Sequence, residues 1–179
     1  MTCGKDQKGV TLWFTGLPCS GKSAVADALA DRLRAQGLRA ERLDGDIVRQ
    51  DLTRDLGFSK ADRDENIRRV TFVAKLLARN GVAVLVSFIS PYRQMRDRAR
   101  QQIQNFMEIY VKCPLETCVK RDVKGMYQKA MRGEIKEFTG VSDPYEEPLR
   151  PELVLETDKE TIGQSVDKAI AKMQELGYL

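Results

Sequence analysis

The stretch Gly16-Leu17-Pro18-Cys19-Ser20-Gly21-Lys22-Ser23 decides the fold of this chain. It matches the pattern G-x-x-x-x-G-K-[ST] in full, in which the glycines allow a tight loop and successive backbone N–H groups point at phosphate oxygens. The helix that follows adds its positive end, the Lys22 ammonium reaches the β- and γ-phosphates, and the Ser23 hydroxyl can hold Mg²⁺. All eight residues are therefore predicted to bind ATP, with Mg²⁺ at Ser23.

The flanking residues place this loop where a phosphate-binding loop must lie. Residues 10–15 (VTLWFT) form a β-rich run, and apolar residues recur at helical spacing from Lys22 to Gly37. The pattern is strand, glycine-rich turn, helix. In this context the alternative, a glycine turn that precedes a helix by chance, is weak.

Beyond the loop, predicted strands and helices alternate along the chain. The strands are residues 39–43, 82–89, 106–111 and 153–156, and the helices are residues 61–80, 93–104, 115–121 and 161–176. Such alternation predicts an α/β fold, a P-loop NTPase-like parallel sheet flanked by helices. The whole of 1–179 is predicted to be a single P-loop kinase domain.

A stretch rich in Lys, Glu, Gly and Pro interrupts this pattern between Arg121 and Pro151, with brief helical periodicity only at 126–131. Segments this long without regular structure are uncommon in compact domains and are usually functional. Residues 122–150 are therefore predicted to form a lid. A solvated surface loop is the alternative.

The composition of the chain excludes several classes of partner and of catalytic site. The net charge of +4 comes from 30 basic and 26 acidic residues that are interleaved, so no basic stripe indicates a nucleic acid partner. There is no His, which excludes His-based acid–base catalysis, Ser-His-Asp triads and His-containing metal sites. The longest apolar run, residues 82–89, is too short to cross a membrane.

The cysteines favour a reducing compartment. Cys3, Cys19, Cys113 and Cys118 lack the paired short spacing of a zinc ribbon, and no apolar signal segment precedes Val10. A cytoplasmic location is therefore expected.

Polar residues follow two of the strands at the edge where the phosphate loop lies. Asp44 and Asp46 end the second strand, where one carboxylate could organise Mg²⁺ or accept a hydroxyl proton. A simple Asp-Gly-Asp turn is the alternative. Ser90 follows the third strand before Pro91, and its hydroxyl could bind phosphate. With no His to activate it, Ser90 is a poor candidate for a nucleophile, and the residue pattern alone favours an ordinary strand-ending serine.

Several arginines lie downstream of the second strand, among them Arg49 and Arg63. Guanidinium groups suit bidentate contact with phosphate or sulfate oxygens. As a bare pattern this is a weak signal, because charged residues on a helix usually form a solvated face.

The chain resembles the adenylylsulfate kinase family from the phosphate loop to the last helix. The resemblance is carried by LDGD (43–46), DLGFS (55–59), ENIRR (65–69), SFISPY (87–92), CPLE (113–116), GEIKEFTG (133–140), DPYE (143–146) and PELVL (151–155). It implies an enzyme of sulfate assimilation that transfers the γ-phosphate of MgATP to the 3′-hydroxyl of adenylyl sulfate. It also leaves a homodimer open.

The resemblance also implies residue roles. Phe58 and Phe138 enclose the adenine of adenylyl sulfate, and Arg49 and Arg63 point at its phosphosulfate. The full set for this substrate is Asp46, Arg49, Phe58, Arg63, Asn66, Ile89, Ser90, Lys124 and Phe138. Arg121 and Thr157 are assigned to ATP, with Arg121 packed on the ATP adenine. Lys22, Asp44 and Ser90 are the catalytic candidates, and Ser23 and Asp44 the metal ligands.

Two questions stay open at this point. The family assigns Ser90 as a phosphoserine intermediate, whereas direct in-line transfer needs no covalent step. The sequence also departs from the family in the loop interior 17–20, at Gln50 and Asp51, and at Met131.

Another small-molecule or nucleoside monophosphate kinase, or a nucleotide-binding protein without turnover, is the alternative function.

Overall fold

A computed structural model describes residues 7–179, which contain five strands and seven helices. In chain order the elements are β1 (Val10–Thr15), α1 (Lys22–Ala35), β2 (Ala40–Asp44), α2 (Gly45–Val48), α3 (Lys60–Arg79), β3 (Ala83–Ser87), α4 (Arg93–Gln102), β4 (Phe106–Lys112), α5 (Leu115–Arg121), α6 (Met126–Met131), β5 (Leu153–Glu156) and α7 (Ile162–Glu175).

The strands form one parallel sheet in the order β2-β3-β1-β4-β5. This confirms the predicted α/β fold with a parallel sheet between helices. β1 is central, and all six of its residues are buried. In the register of the sheet Ser87 pairs with both Phe14 and Asp44, so the ends of β1, β2 and β3 meet at one edge. The loop after β1 therefore opens beside Asp44.

Two hydrophobic clusters cover the two faces of the sheet because side chains alternate along each strand. Leu12 and Phe14 of β1 face the cluster that includes α1 and α7, whereas Trp13 faces the cluster that includes α3 and α4. The helices on both faces fix the strands, and the strands in turn fix the loops at their carboxyl ends.

The sequence missed helix α2. The Asp-Gly-Asp stretch was predicted to be a turn or a pair of catalytic carboxylates, and it is the start of this one-turn helix. Asp44 is its N-cap, and Asp44 Oδ1 accepts a hydrogen bond of 3.0 Å from the Asp46 N–H. Capping fixes the rotamer of Asp44 and leaves its second oxygen for other partners.

The segment 122–150 has little regular structure, as predicted. It contains α6 (Met126–Met131) and one isolated bridge between Thr139 and Asp143. Several of its residues, Val123 to Met126 and Ile135 to Thr139 among them, line the same cleft as the phosphate loop. Its action as a lid stays a prediction.

Candidate active site

A cleft of about 860 Å³ lies at the carboxyl edge of the sheet. Its walls come from the phosphate loop, the ends of β2 and β3, the start of α3, the segment 122–150 and the start of α7. The predicted site residues that line it are Pro18, Cys19, Gly21, Lys22, Ser23, Asp44, Asp46, Arg49, Phe58, Arg63, Asn66, Ile89, Ser90, Arg121, Lys124, Phe138 and Thr157. Gly16, Leu17 and Ser20 do not line it. They form the underside of the loop.

The phosphate loop needs glycine at its start. A Cβ on Gly16, whose φ is 154°, would lie 2.4 Å from the Val111 carbonyl oxygen. Gly21 has a φ of 97° and precedes α1. Cys19 adopts a left-handed φ of 59°, a conformation that costs about 1 kcal/mol or more for a residue with a Cβ. These residues thus allow a curled backbone whose N–H groups are exposed at the N-terminus of α1.

Lys22 lies inside the curl of its own loop. Its Nζ donates hydrogen bonds to the carbonyl oxygens of Gly16 (3.0 Å) and Leu17 (2.7 Å), and Ser20 Oγ is 3.4 Å away. Burial lowers the pKa of Lys22 to about 8, because carbonyl dipoles replace water only in part. A phosphate group would supply the negative charge that these neutral acceptors lack.

Ser23 and Asp44 present two oxygens to the cleft. Ser23 Oγ donates to Asp44 Oδ2 at 2.7 Å, and the Arg42 guanidinium lies 3.2 Å from the same oxygen. Hydroxyl and carboxylate oxygens are donors that Mg²⁺ prefers. Within residues 7–179 no cluster of three acidic, Cys or His side chains could hold a metal. This pair fits an ion that takes its other ligands from phosphate and water.

The sequence analysis missed Arg42. It lies two residues before Asp44 on β2 and therefore on the same face of the strand. Its guanidinium also donates to Ser87 Oγ at 2.7 Å and to Asp27 at 2.7 Å. The two-residue spacing was the available signal in the sequence, and the ion pair shows that Arg42 holds the Asp44 carboxylate in place.

Arg121 and Thr157 brace the loop from the other side. Arg121 donates to the Thr157 carbonyl oxygen at 2.6 Å, and Thr157 Oγ1 donates to the Ser20 carbonyl oxygen at 2.6 Å. The two residues predicted to contact ATP therefore contact each other, and they join α5 and the end of β5 to the phosphate loop.

Phe58 stands at the opposite end of the cleft and is 60% exposed. The Arg49 guanidinium lies 4.4 Å from the centre of its ring, which leaves the other ring face uncovered by this contact. Arg49 also donates to the carbonyl oxygens of Leu56 (3.2 Å) and Gly57 (3.1 Å). Asp46 and Lys124, which also line the cleft, form an ion pair.

The Arg63 guanidinium bonds to the protein itself. Nε donates to the Phe58 carbonyl oxygen (2.7 Å), Nη1 to Thr139 Oγ1 (2.6 Å), and Nη2 to the Glu137 carbonyl oxygen. Asp143 lies 3.5 Å from Nη1. The sequence analysis gave Thr139 and Asp143 no role, although both lie in blocks that carry the resemblance.

Asn66 has an unused acceptor. The residue is 4% exposed, and its Oδ1 has no hydrogen-bond partner within residues 7–179. Buried polar atoms are nearly always paired in folded proteins. Because Asn66 lines the cleft, a ligand donor is the partner that its position favours.

Ser90 is almost enclosed, at 2% exposure, with a φ of 39°. Its Oγ accepts a hydrogen bond of 3.1 Å from the indole N–H of Trp13, and its carbonyl oxygen accepts one of 2.5 Å from Arg96. Neighbouring Ile89 accepts from Thr15 at 2.7 Å. These contacts hold the loop after β3 in a left-handed turn. Trp13 and Arg96 were not singled out from the sequence.

Two remaining expectations concern the cysteines and the membrane. Cys19, Cys113 and Cys118 are free thiols, whereas Cys3 lies outside the described residues. Burial raises the pKa of Cys118 to about 12, so it is a thiol at neutral pH. Among residues 7–179 no helix has the length and apolarity to span a bilayer.

Comparison with known proteins places these features in a family. The family model described as adenylylsulphate kinase matches residues 8–156. The adenylyl-sulfate kinase of Picosynechococcus sp. is 58% identical over 97% of this chain and 98% of its own length. That of Halothermothrix orenii is 58% identical over 98% of this chain and 95% of its own length.

Solved structures agree. An APS kinase of Mycobacterium tuberculosis, in complex with AMPPNP and APS, superposes with a TM-score of 0.90 at 44% identity, covering 93% of this chain and 98% of that one. With a family model over most of the chain and relatives matched along nearly their full length, this chain belongs to the adenylylsulfate kinase family.

Proposed function

We propose that this protein transfers the γ-phosphate of ATP to the 3′-hydroxyl of adenylyl sulfate and releases ADP and 3′-phosphoadenylyl sulfate. The observation that carries the proposal is one cleft lined by two different sets of residues. A complete phosphate loop with Lys22 makes up the first set, called here the nucleotide end; Phe58, Phe138 and the unpaired acceptor of Asn66 make up the second, called the acceptor end. The two sets suit two nucleotides that share one cleft.

The nucleotide end positions and neutralises the transferred group. Backbone N–H groups of the loop hold the phosphates, and the Lys22 ammonium exchanges its loop carbonyls for phosphate oxygens. Ser23 and Asp44 would hold Mg²⁺, which supplies positive charge to the phosphate oxygens when bound. Arg121 packs on the ATP adenine while Thr157 holds its guanidinium.

The acceptor end binds and orients adenylyl sulfate. Phe58 and Phe138 stack on its adenine, and Asn66 Oδ1 accepts a hydrogen bond from it. Arg49 supplies positive charge for the phosphosulfate, with Lys124 and Asp46 beside it. The transfer is direct and in line, because phosphoryl transfer through a loose transition state needs positioning more than covalent help.

The first prediction concerns products. Purified protein incubated with MgATP and adenylyl sulfate should form ADP and 3′-phosphoadenylyl sulfate in equal amounts, and neither product should form without Mg²⁺. Chromatography of the nucleotides measures both. AMP in place of adenylyl sulfate tests the nucleoside monophosphate kinase alternative, and equal ADP release with and without any acceptor would remove the kinase assignment.

The second prediction separates the two roles of Ser90. Because Ser90 Oγ is the acceptor for Trp13, Ser90→Ala should leave the buried indole N–H unpaired and lower the free energy of unfolding by about 1–3 kcal/mol. At a temperature where the variant is folded, substantial kcat should remain. Loss of nearly all turnover, with label from ATP trapped on Ser90 in the wild type and chased into product, would instead establish a phosphoserine route.

Two further properties stay predictions. The free thiols of Cys113 and Cys118 suit a reducing compartment and support a cytoplasmic location. That the protein forms a homodimer also stays a prediction.

A further inference from the structure

One guanidinium, that of Arg63, bonds to the chain beside both aromatic residues of the acceptor end. Arg63 holds the Phe58 backbone through the Phe58 carbonyl oxygen. It holds both neighbours of Phe138, through the Glu137 carbonyl oxygen and Thr139 Oγ1. Phe58 and Phe138 are far apart in sequence, and Arg63 is the residue that bonds to the backbone of the first and to both flanks of the second.

The contacts of Arg63 are strong because they are buried. Arg63 is 9% exposed and Thr139 is 1% exposed, so little water competes with their hydrogen bond of 2.6 Å. The guanidinium charge has one partner carboxylate, Asp143, at 3.5 Å. Tyr92 Oη donates to the same carboxylate at 3.0 Å and fixes its direction. A planar guanidinium whose three nitrogen atoms are all bonded to fixed acceptors has one orientation.

The backbone beside Phe138 is held in an unfavourable conformation. Glu137 has a φ of 54°, which costs about 1 kcal/mol or more for a residue with a Cβ. Phe138 packs edge-on against Tyr127 at 5.0 Å between ring centres, and the Phe138 N–H donates to Ser142 Oγ. Contacts on the far side of the strained residue must offset that cost, and the bond from Arg63 to the Glu137 carbonyl is such a contact.

We propose that Arg63 is a positioning residue that sets the separation of Phe58 and Phe138, and so the width of the slot that takes the adenine of the acceptor. This inference rests on the proposed function. A purine ring is flat and of constant thickness, so two aromatic walls bind it well at only one separation. The set of Arg63, Thr139 and Asp143 therefore selects acceptors with a planar base.

Positioning by Arg63 is separate from direct contact with phosphosulfate. Three of its five N–H donors, one on Nε and one on each Nη, are bonded to the chain. Those three bonds fix the backbone beside Phe58 and Phe138, whatever the remaining two donors contact. Substitution of its protein partners, with Arg63 left in place, separates the two roles.

The test is Thr139→Val, which removes the acceptor of Arg63 Nη1 and keeps the shape of the side chain. Thr71→Val is the matched control, since Thr71 is buried on the same helix as Arg63 and bonds only within that helix, to the Ile67 carbonyl oxygen. Thr139→Val should raise the KM for adenylyl sulfate about tenfold, the scale of a lost hydrogen bond to a charged group. The KM for ATP and the behaviour of Thr71→Val should stay within about twofold of wild type.

A double-mutant cycle shows whether the bond acts through Phe138. In a Phe138→Leu background, which already lacks the aromatic wall, adding Thr139→Val should change the KM for adenylyl sulfate by less than about twofold. A tenfold rise in both backgrounds would mean that Thr139 acts by another route and would overturn the proposal. Asp143→Asn tests the same guanidinium from its other partner if Thr139→Val does not fold.

A measurement without substrate distinguishes failure of this inference from failure of the proposed function. Lys136 is exposed and directly precedes Glu137, so trypsin cleavage after Lys136 reports how firmly Arg63 holds that segment. Cleavage in Thr139→Val should be several-fold faster than in wild type or Thr71→Val. Unchanged cleavage overturns the inference even if the enzyme is active, whereas faster cleavage in a protein inactive with adenylyl sulfate overturns the function alone.

Discussion

Replacing Lys22 by alanine is expected to lower kcat by about a hundredfold or more. The ammonium lies inside the phosphate loop, where the proposed transfer develops charge on the phosphoryl group, and removal of such a group costs roughly a hundredfold or more in kcat. Steady-state kinetics at saturating ATP and adenylyl sulfate measures the effect.

Folding should survive this change, because the side chain of Lys22 lines the cleft, and water that enters the space it leaves can donate to the carbonyl oxygens of Gly16 and Leu17. Lys120→Ala is the matched control, since Lys120 is exposed on α5 and does not line the cleft. Near-normal turnover in Lys22→Ala, with Lys120→Ala unchanged, would show that the chemistry takes place elsewhere.

Asp44→Asn is expected to have the second largest effect, a fall in kcat on the order of a hundredfold with a raised requirement for Mg²⁺. The amide removes the negative charge that Ser23 and Arg42 both contact. It leaves the Arg42 cation nearly buried, with only the more exposed Asp27 as its ionic partner. Activity is measured as a function of Mg²⁺ concentration.

Asp27→Asn is the control for Asp44→Asn. Asp27 pairs with the same arginine at 2.7 Å, but it lies outside the cleft and its side chain is 63% exposed. Because water solvates the exposed Asp27 carboxylate and Arg42 keeps Asp44 as its second partner, this variant should keep activity within about twofold. Equal losses of kcat in both variants would mean that both carboxylates act by holding Arg42 in place. Asp44 would then have no separate role at the phosphate or at Mg²⁺.

Much of the fold could be predicted because its signals are local. The phosphate loop is a contiguous motif, and β1 is a run of β-branched, aromatic and apolar residues, as expected for a central parallel strand. Helix α3 shows helical periodicity between a serine cap and a final Asn80. The predicted ends differ from the observed ones by one or two residues, except that α2 was missed because a single turn has no measurable period.

The site could be predicted only in part because side-chain direction depends on distant partners. Which residues gather in the cleft follows from strand ends and from the family blocks. Where Arg63 points does not, since its acceptor Thr139 is 76 residues away. The Trp13 contact with Ser90 spans 77 residues and joins two strands that each look purely structural. No local pattern encodes such pairs.

The brace from Thr157 to the phosphate loop has a consequence for how such a protein can evolve. It ties the loop to the end of β5, and the tie passes through the Ser20 carbonyl oxygen and the Thr157 hydroxyl without touching the segment 122–150. The acceptor wall at Phe138, in contrast, belongs to that segment, which bonds to the phosphate loop through Tyr127, whose hydroxyl donates to the Pro18 carbonyl oxygen at 3.0 Å. Replacements between α5 and β5 that keep Tyr127 can therefore change the phosphate-accepting substrate while the nucleotide end is inherited intact. In this sense one loop can change the substrate that accepts the phosphate, while the rest of the fold keeps the nucleotide site.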